Sequence, residues 1–141
     1  MVSSFRGYEK VSITERMANH INEALEKADY VIDMHANPLP SMPFVLTSLG
    51  LCPTVEVEKE AKKIANAFGA TVIDWPTNTA TTIRNICVVR GKPSITPEFS
   101  GNIYMWDEIT NIGIRGIKNV TKAIGMLAGA RQGTTRKRTP R

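Results

Sequence analysis

Three stretches of helical periodicity alternate with three short β-rich runs along residues 12–98, and one more helical stretch follows. This alternation constrains the fold more than any other feature of the chain. It specifies an α/β domain with a largely parallel sheet and helices on its faces. The first helix is expected over residues 12–28. Ser12 and Glu15 have capping-box spacing, and Met17, Ala18, Ile21, Ala24, Leu25 and Ala28 recur at the helical period. Tyr30 to His35 is a β-rich run that reads as a buried strand. Residues 36–53 hold Pro38, Pro40, Pro43, Gly50 and Pro53 and read as a long loop. A helix over 54–68 closed by Gly69, a strand over 71–75, a helix over 79–90 ended by Gly91, a strand over 93–98 and a helix over 107–127 complete the order.

Ligands of such sheets bind outside the carboxyl ends of the strands. His35 and Glu98 both fall at expected strand ends. In a strand, residues two apart share a face, so Asp33 and His35 point together. Histidine is the commonest side-chain metal ligand, and a neighbouring carboxylate orients its ring. The other reading of this pair is a histidine hydrogen-bonded at a strand end. Glu98 closes an otherwise apolar strand before a glycine-containing turn. Partial withdrawal from water suits a carboxylate there to general-base work; the other reading is a solvated loop acid. His20 and Glu23 form a His-x-x-Glu pair, but they fall on the flank and far side of the apolar stripe of the first helix, so both should face solvent.

Charge and cysteine content limit the partners. Five of the 18 basic residues lie in residues 131–141 with no acid, so residues 1–130 carry 13 of each sign and are neutral. The expected organisation is a domain over 1–130 and a basic, disordered tail over 131–141. The tail has no aromatic residue for base stacking, which argues against specific nucleic-acid recognition. Cys52 and Cys87 are too few and too far apart for a disulfide framework or a cysteine-based zinc site. No apolar run approaches the ~18 residues of a membrane span. The N-terminus lacks the apolar core of a signal peptide. A cytoplasmic location is the expectation.

Three runs together resemble the succinylglutamate desuccinylase/aspartoacylase family over roughly residues 5–129. TERMANHINEALEKADYVIDMHA looks like the segment around that family's Asp-x-His motif. TTIRNICVVRGKPSITPEFSGN resembles its Gly-x-Pro-x-x-Thr-x-Glu-x-Gly segment, and IRGIKNVTKAIGMLAG the helix after it. The resemblance implies a three-layer, carboxypeptidase-like domain, here truncated. It also implies a zinc-dependent hydrolase that removes acyl groups from N-acyl amino acids or related small molecules. His35 would then be a zinc ligand, Asp33 its supporting carboxylate and Glu98 the general base. Arg84, on the helix before Glu98, is a candidate for gripping a substrate carboxylate, which arginine does well by paired hydrogen bonds; the alternative is a surface arginine.

The sequence departs from the family pattern at several points. The family's zinc-binding His-x-x-Glu lies upstream of Asp-x-His, and His20 and Glu23 do not replace it. Phe5 and Gly7 match the end of the Asn-Arg-x-Phe-x-Gly substrate motif, but Val2 and Ser3 stand where Asn and Arg would be. Pro97 precedes the base, and Ser100 stands where glycine is usual. The family's C-terminal β-rich domain has no counterpart. A truncated sheet leaves an exposed edge, which favours self-association into a homo-oligomer. The alternative to an enzyme is a non-catalytic α/β binding or interaction domain that has lost its metal site.

Overall fold

A computed structural model describes residues 12–37, 42–75, 82–100 and 107–130. Helix α1 spans Ile13–Glu26. The Ser12 hydroxyl accepts from the Glu15 amide at 3.2 Å and donates to the Glu15 carboxylate at 2.8 Å, so the spacing acts as a cap. At its other end, Lys92 Nζ donates to the carbonyls of Glu26 and Ala28 at 2.8 Å each. A cation there meets the negative end of the helix dipole. Ala18 is buried, but Met17 is half-exposed, so the apolar stripe is narrower than its periodicity implies.

Helix α2 spans Val55–Phe68, with the Thr54 hydroxyl accepting from the Val57 amide at 3.3 Å. Gly69 ends it at φ 86°, a left-handed conformation in which a Cβ is costly. Helix α3 spans Ile83–Val89 and is capped by Thr82. It starts later than the residue-79 expectation, and residues 79–81 lie outside the described residues. Helix α4 spans Asp107–Ala123 and ends before the expected residue 127, at a turn through Ile124 and Gly125.

Five strands form one mixed sheet. They are β1 (Val31–Ile32), β2 (His35–Asn37), β3 (Phe44–Thr47), β4 (Thr71–Asp74) and β5 (Ser94–Ser100). β5 is central, with β1 and β2 parallel to it along one edge and β3 along the other; β4 lies beyond β3. β3 and β4 are parallel, but β3 runs antiparallel to β5. Two expectations are therefore corrected. The proline-rich stretch 36–53 is not one loop. It contains the end of β2, the whole of β3 and a 3-10 turn over Leu49–Leu51. The single strand expected over 30–35 is two short strands separated at Asp33 and Met34.

Pro97 accounts for that break. The Asp33 amide donates to the Ile95 carbonyl at 3.0 Å, the first half of a parallel bridge. The second half would run from the amide of residue 97 to the Asp33 carbonyl. Proline has no N–H to give, so the bridge cannot close. The ladder resumes at His35 opposite Glu98.

β5 alternates its residues between two layers. Ile95 and Phe99 join Val45, Ile64, Ala65, Ala67, Phe68 and Val120 in the core beneath α2 and α4. Helices α2 and α4 approach closely there: a Cβ on Gly116 of α4 would lie 2.4 Å from Phe68 Cζ of α2. Ser94, Thr96 and Glu98 alternate with these residues and so face the opposite layer. That layer holds α3, whose Cys87 and Val88 are fully buried, and α1, tied to its end through Arg90 Nη1 and Asn22 Oδ1 at 2.7 Å. The result is the expected three-layer α/β architecture.

Candidate active site

The register of β2 against β5 places His35 directly beside Glu98. Two carboxylates then flank one imidazole. His35 Nε2 lies 3.0 Å from Asp33 Oδ2, and Nδ1 lies 3.4 Å from Glu98 Oε1. The carboxylates are largely buried, at 13% and 15% side-chain exposure, while the ring is 43% exposed. The ring therefore opens toward solvent from a floor of acids. Asp33 and His35 meet as their spacing predicts, even though Asp33 sits in the break between strands. His35 opens β2 rather than closing a strand, and β5 continues two residues past Glu98.

The tautomer of His35 sets what each ring nitrogen offers. When Nε2 carries the proton and donates it to Asp33, Nδ1 presents a lone pair. That lone pair then faces the Glu98 carboxylate, another acceptor. Two facing acceptors repel unless a second ring proton or a cation sits beside them. A carboxylate behind one ring nitrogen and a lone pair on the other is the arrangement of a metal-binding histidine.

Arg84 is 3% exposed, which excludes the surface-arginine alternative. Its Nε donates to the Ser48 hydroxyl at 2.8 Å, and that hydroxyl donates to Asn85 Oδ1 at 2.6 Å. Ser48 and Asn85 are themselves buried. Burial pulls the guanidinium below its ordinary pKa, and the nearby charges of Asp33, Glu98 and Asp74 act against that shift. Arg84 is thus a buried cation within electrostatic reach of the site carboxylates. Asp74 has its own attachments: its Oδ1 accepts from the Thr47 hydroxyl and the Leu49 amide, both at 2.9 Å.

Ser48, Asn85, Thr47 and Asp74 were not legible as site-related residues. Ser48 lies in the stretch read as a loop, and no motif marks it. A buried arginine requires polar partners, so a search for hydroxyls and amides near Arg84 was the available signal.

His20 and Glu23 lie 3.4 Å apart and are both exposed, 76% and 58%, as the helical wheel predicts. Cys87 is buried, Cys52 is partly buried, and both are free thiols. Val2, Ser3, Phe5, Gly7 and the basic tail lie outside the described residues. Among the described residues, no three His, Cys, Asp or Glu side chains are grouped to hold a metal ion. His35 with Asp33 behind its ring is one His–carboxylate pair, fewer than the about three protein ligands usual for zinc. Also among the described residues, no helix is long and apolar enough to cross a membrane.

No protein-family model and no curated protein matches the sequence. Solved structures do match. A succinylglutamate desuccinylase/aspartoacylase from Rhodobacter sphaeroides is 26% identical with a TM-score of 0.79, over 96% of this chain and 41% of that one. A succinylglutamate desuccinylase from a Silicibacter species is 20% identical with a TM-score of 0.82, over 93% of this chain and 41% of that one. The apo ectoine utilization protein EutE of Ruegeria pomeroyi is 23% identical with a TM-score of 0.80, over 93% and 43%. The chain has the fold of the succinylglutamate desuccinylase/aspartoacylase family, as its motifs indicate. It spans about two fifths of the length of the structures it matches, so it corresponds to a partial segment of that fold.

Proposed function

We propose that this chain carries the water-activating part of a zinc-dependent amidohydrolase acting on an N-acyl amino acid or a related small amide. The observation that carries the reading is the placing of Asp33, His35 and Glu98 together where β2 meets β5. The similarity to solved desuccinylase and aspartoacylase structures supports it. A cytoplasmic setting fits two free thiols.

In this reading His35 would hold zinc, and Asp33 would fix its ring by accepting from Nε2. Among the described residues no group of three His, Cys, Asp or Glu completes the ligand set. The chemistry a bound zinc would supply is polarisation of the amide carbonyl and a lowering of the pKa of water to about 7. Glu98 takes a proton from the attacking water as its oxygen bonds to the acyl carbon. The C–N bond then breaks, and Glu98 passes that proton to the departing amine nitrogen. Arg84 supplies positive charge beside the carboxylates and grips the substrate carboxylate.

The test is amine release from N-acyl amino acids at saturating zinc. Glu98→Gln keeps the shape and removes the base, so the rate should fall by about 10²–10⁴-fold. Unchanged hydrolysis in that variant would refute the assignment. The second reading, a non-catalytic binding domain, draws on the single histidine ligand among the described residues. It predicts binding of the N-acyl amino acid without turnover at any zinc concentration.

A further inference from the structure

We infer that Ser48 is a positioning residue that sets which edge of Arg84 can meet a substrate carboxylate; this rests on the deacylase reading above. The Ser48 hydroxyl accepts from Arg84 Nε at 2.8 Å and donates to Asn85 Oδ1 at 2.6 Å, with the Trp75 carbonyl 3.4 Å away. Arg84 and Asn85 are consecutive on α3, while Ser48 immediately follows β3. One hydroxyl thus pins the helix and the arginine to the sheet. All three side chains are at least 97% buried, so water does not compete for these bonds.

The geometry has a chemical consequence. A guanidinium can pair with a carboxylate side-on, through Nε and one terminal nitrogen, or end-on, through both terminal nitrogens. Ser48 takes the Nε–H and so removes the side-on mode. Among the described residues it is the one hydrogen-bond partner of that guanidinium. The end-on fork is what Arg84 retains for a carboxylate. Ser48 therefore acts through Arg84 on recognition, and plays no part in the proton transfers assigned to Glu98.

The test compares N-acetylalanine with N-acetylalaninamide, which replaces the carboxylate by a neutral amide of similar shape. Affinities are measured by calorimetry on the whole chain at saturating zinc with Glu98→Gln present throughout, so that the acid binds without being hydrolysed. With Ser48 intact, the chain should prefer the acid by at least about tenfold, equal to ~1.4 kcal/mol. Ser48→Ala removes the anchor that aims the terminal edge of Arg84, so that preference should be lost while affinity for the amide stays unchanged. Ser48→Thr keeps the hydroxyl and should restore the preference, which also guards against simple misfolding. If Ser48→Ala keeps the preference, or weakens acid and amide equally, Ser48 has only a structural role and the inference fails while the deacylase reading stands. If the chain with Ser48 intact shows no preference for the acid, or binds neither compound, Arg84 does not grip this carboxylate and the inference fails, while the deacylase reading is judged by the Glu98→Gln assay.

Discussion

Glu98 and Cys87 illustrate how position decides what a side chain can do. Glu98 is one of the β5 residues that alternate between two layers, and the parallel register brings it to His35. The Asp33–His35 pair was legible from strand spacing, because period-2 alternation fixes which side chains share a face, whereas the pairing of His35 with Glu98 depends on the register between two strands. The burial of Arg84 was not legible, because nothing local distinguishes a buried arginine from an exposed one on a short helix. Cys87 is fully buried, and burial pushes its thiol up to about 11 from an ordinary 9.0. The unfolded chain ionises this thiol first. Its contribution to stability is therefore complete below about pH 9 and is lost as the pH rises toward 11. The total is on the order of 2–3 kcal/mol. Urea melts at pH 8 and pH 10.5 should show this loss in wild type, and Cys87→Ala should remove that component. An identical pH dependence in the variant would contradict the assignment.

Among the elements, helices were easier to read than strands. Capping hydroxyls at Ser12, Thr54 and Thr82 all accept amide hydrogens where a helix begins, and such signals are local. β3 was missed because four residues between prolines carry no periodicity of their own. Only pairing with β4 and β5 makes them a strand. The break between β1 and β2 was missed for a related reason: its cause, Pro97, lies on another strand. Pro97→Ala would supply the missing donor. It should close the Asp33 bridge, seen as slow hydrogen exchange at the new residue-97 amide. Fast exchange there would show that the break has another cause. The contact between α2 and α4 makes a sharper prediction. A Cβ at Gly116 would overlap the Phe68 ring, so Gly116→Ala should destabilise the fold by about 1–3 kcal/mol despite alanine's higher helix propensity. Phe68→Leu in the same chain should recover part of that loss in a double-mutant cycle. Additive losses would mean that the two sites do not meet.

For the whole molecule, alternation of helix and strand was enough to specify the α/β class, and the fold agrees with it. The antiparallel β3–β5 pairing was beyond that signal, because strand direction depends on the path of the intervening chain. The ordered motifs located Asp33, His35 and Glu98, and the structure brings these three together. The buried cluster of Ser48, Arg84 and Asn85 needed coordinates, since it joins residues 36 and 37 positions apart. The central claim, zinc-dependent hydrolysis with Glu98 as base, is tested most directly by one paired assay. Amine release from N-acyl amino acids is followed for wild type and Glu98→Gln, with and without saturating zinc, alongside zinc binding by both proteins. The account predicts turnover only with zinc, a loss of at least about 100-fold in Glu98→Gln, and equal zinc binding by the two. Turnover that survives in Glu98→Gln, or an absence of turnover in zinc-saturated wild type, would contradict it.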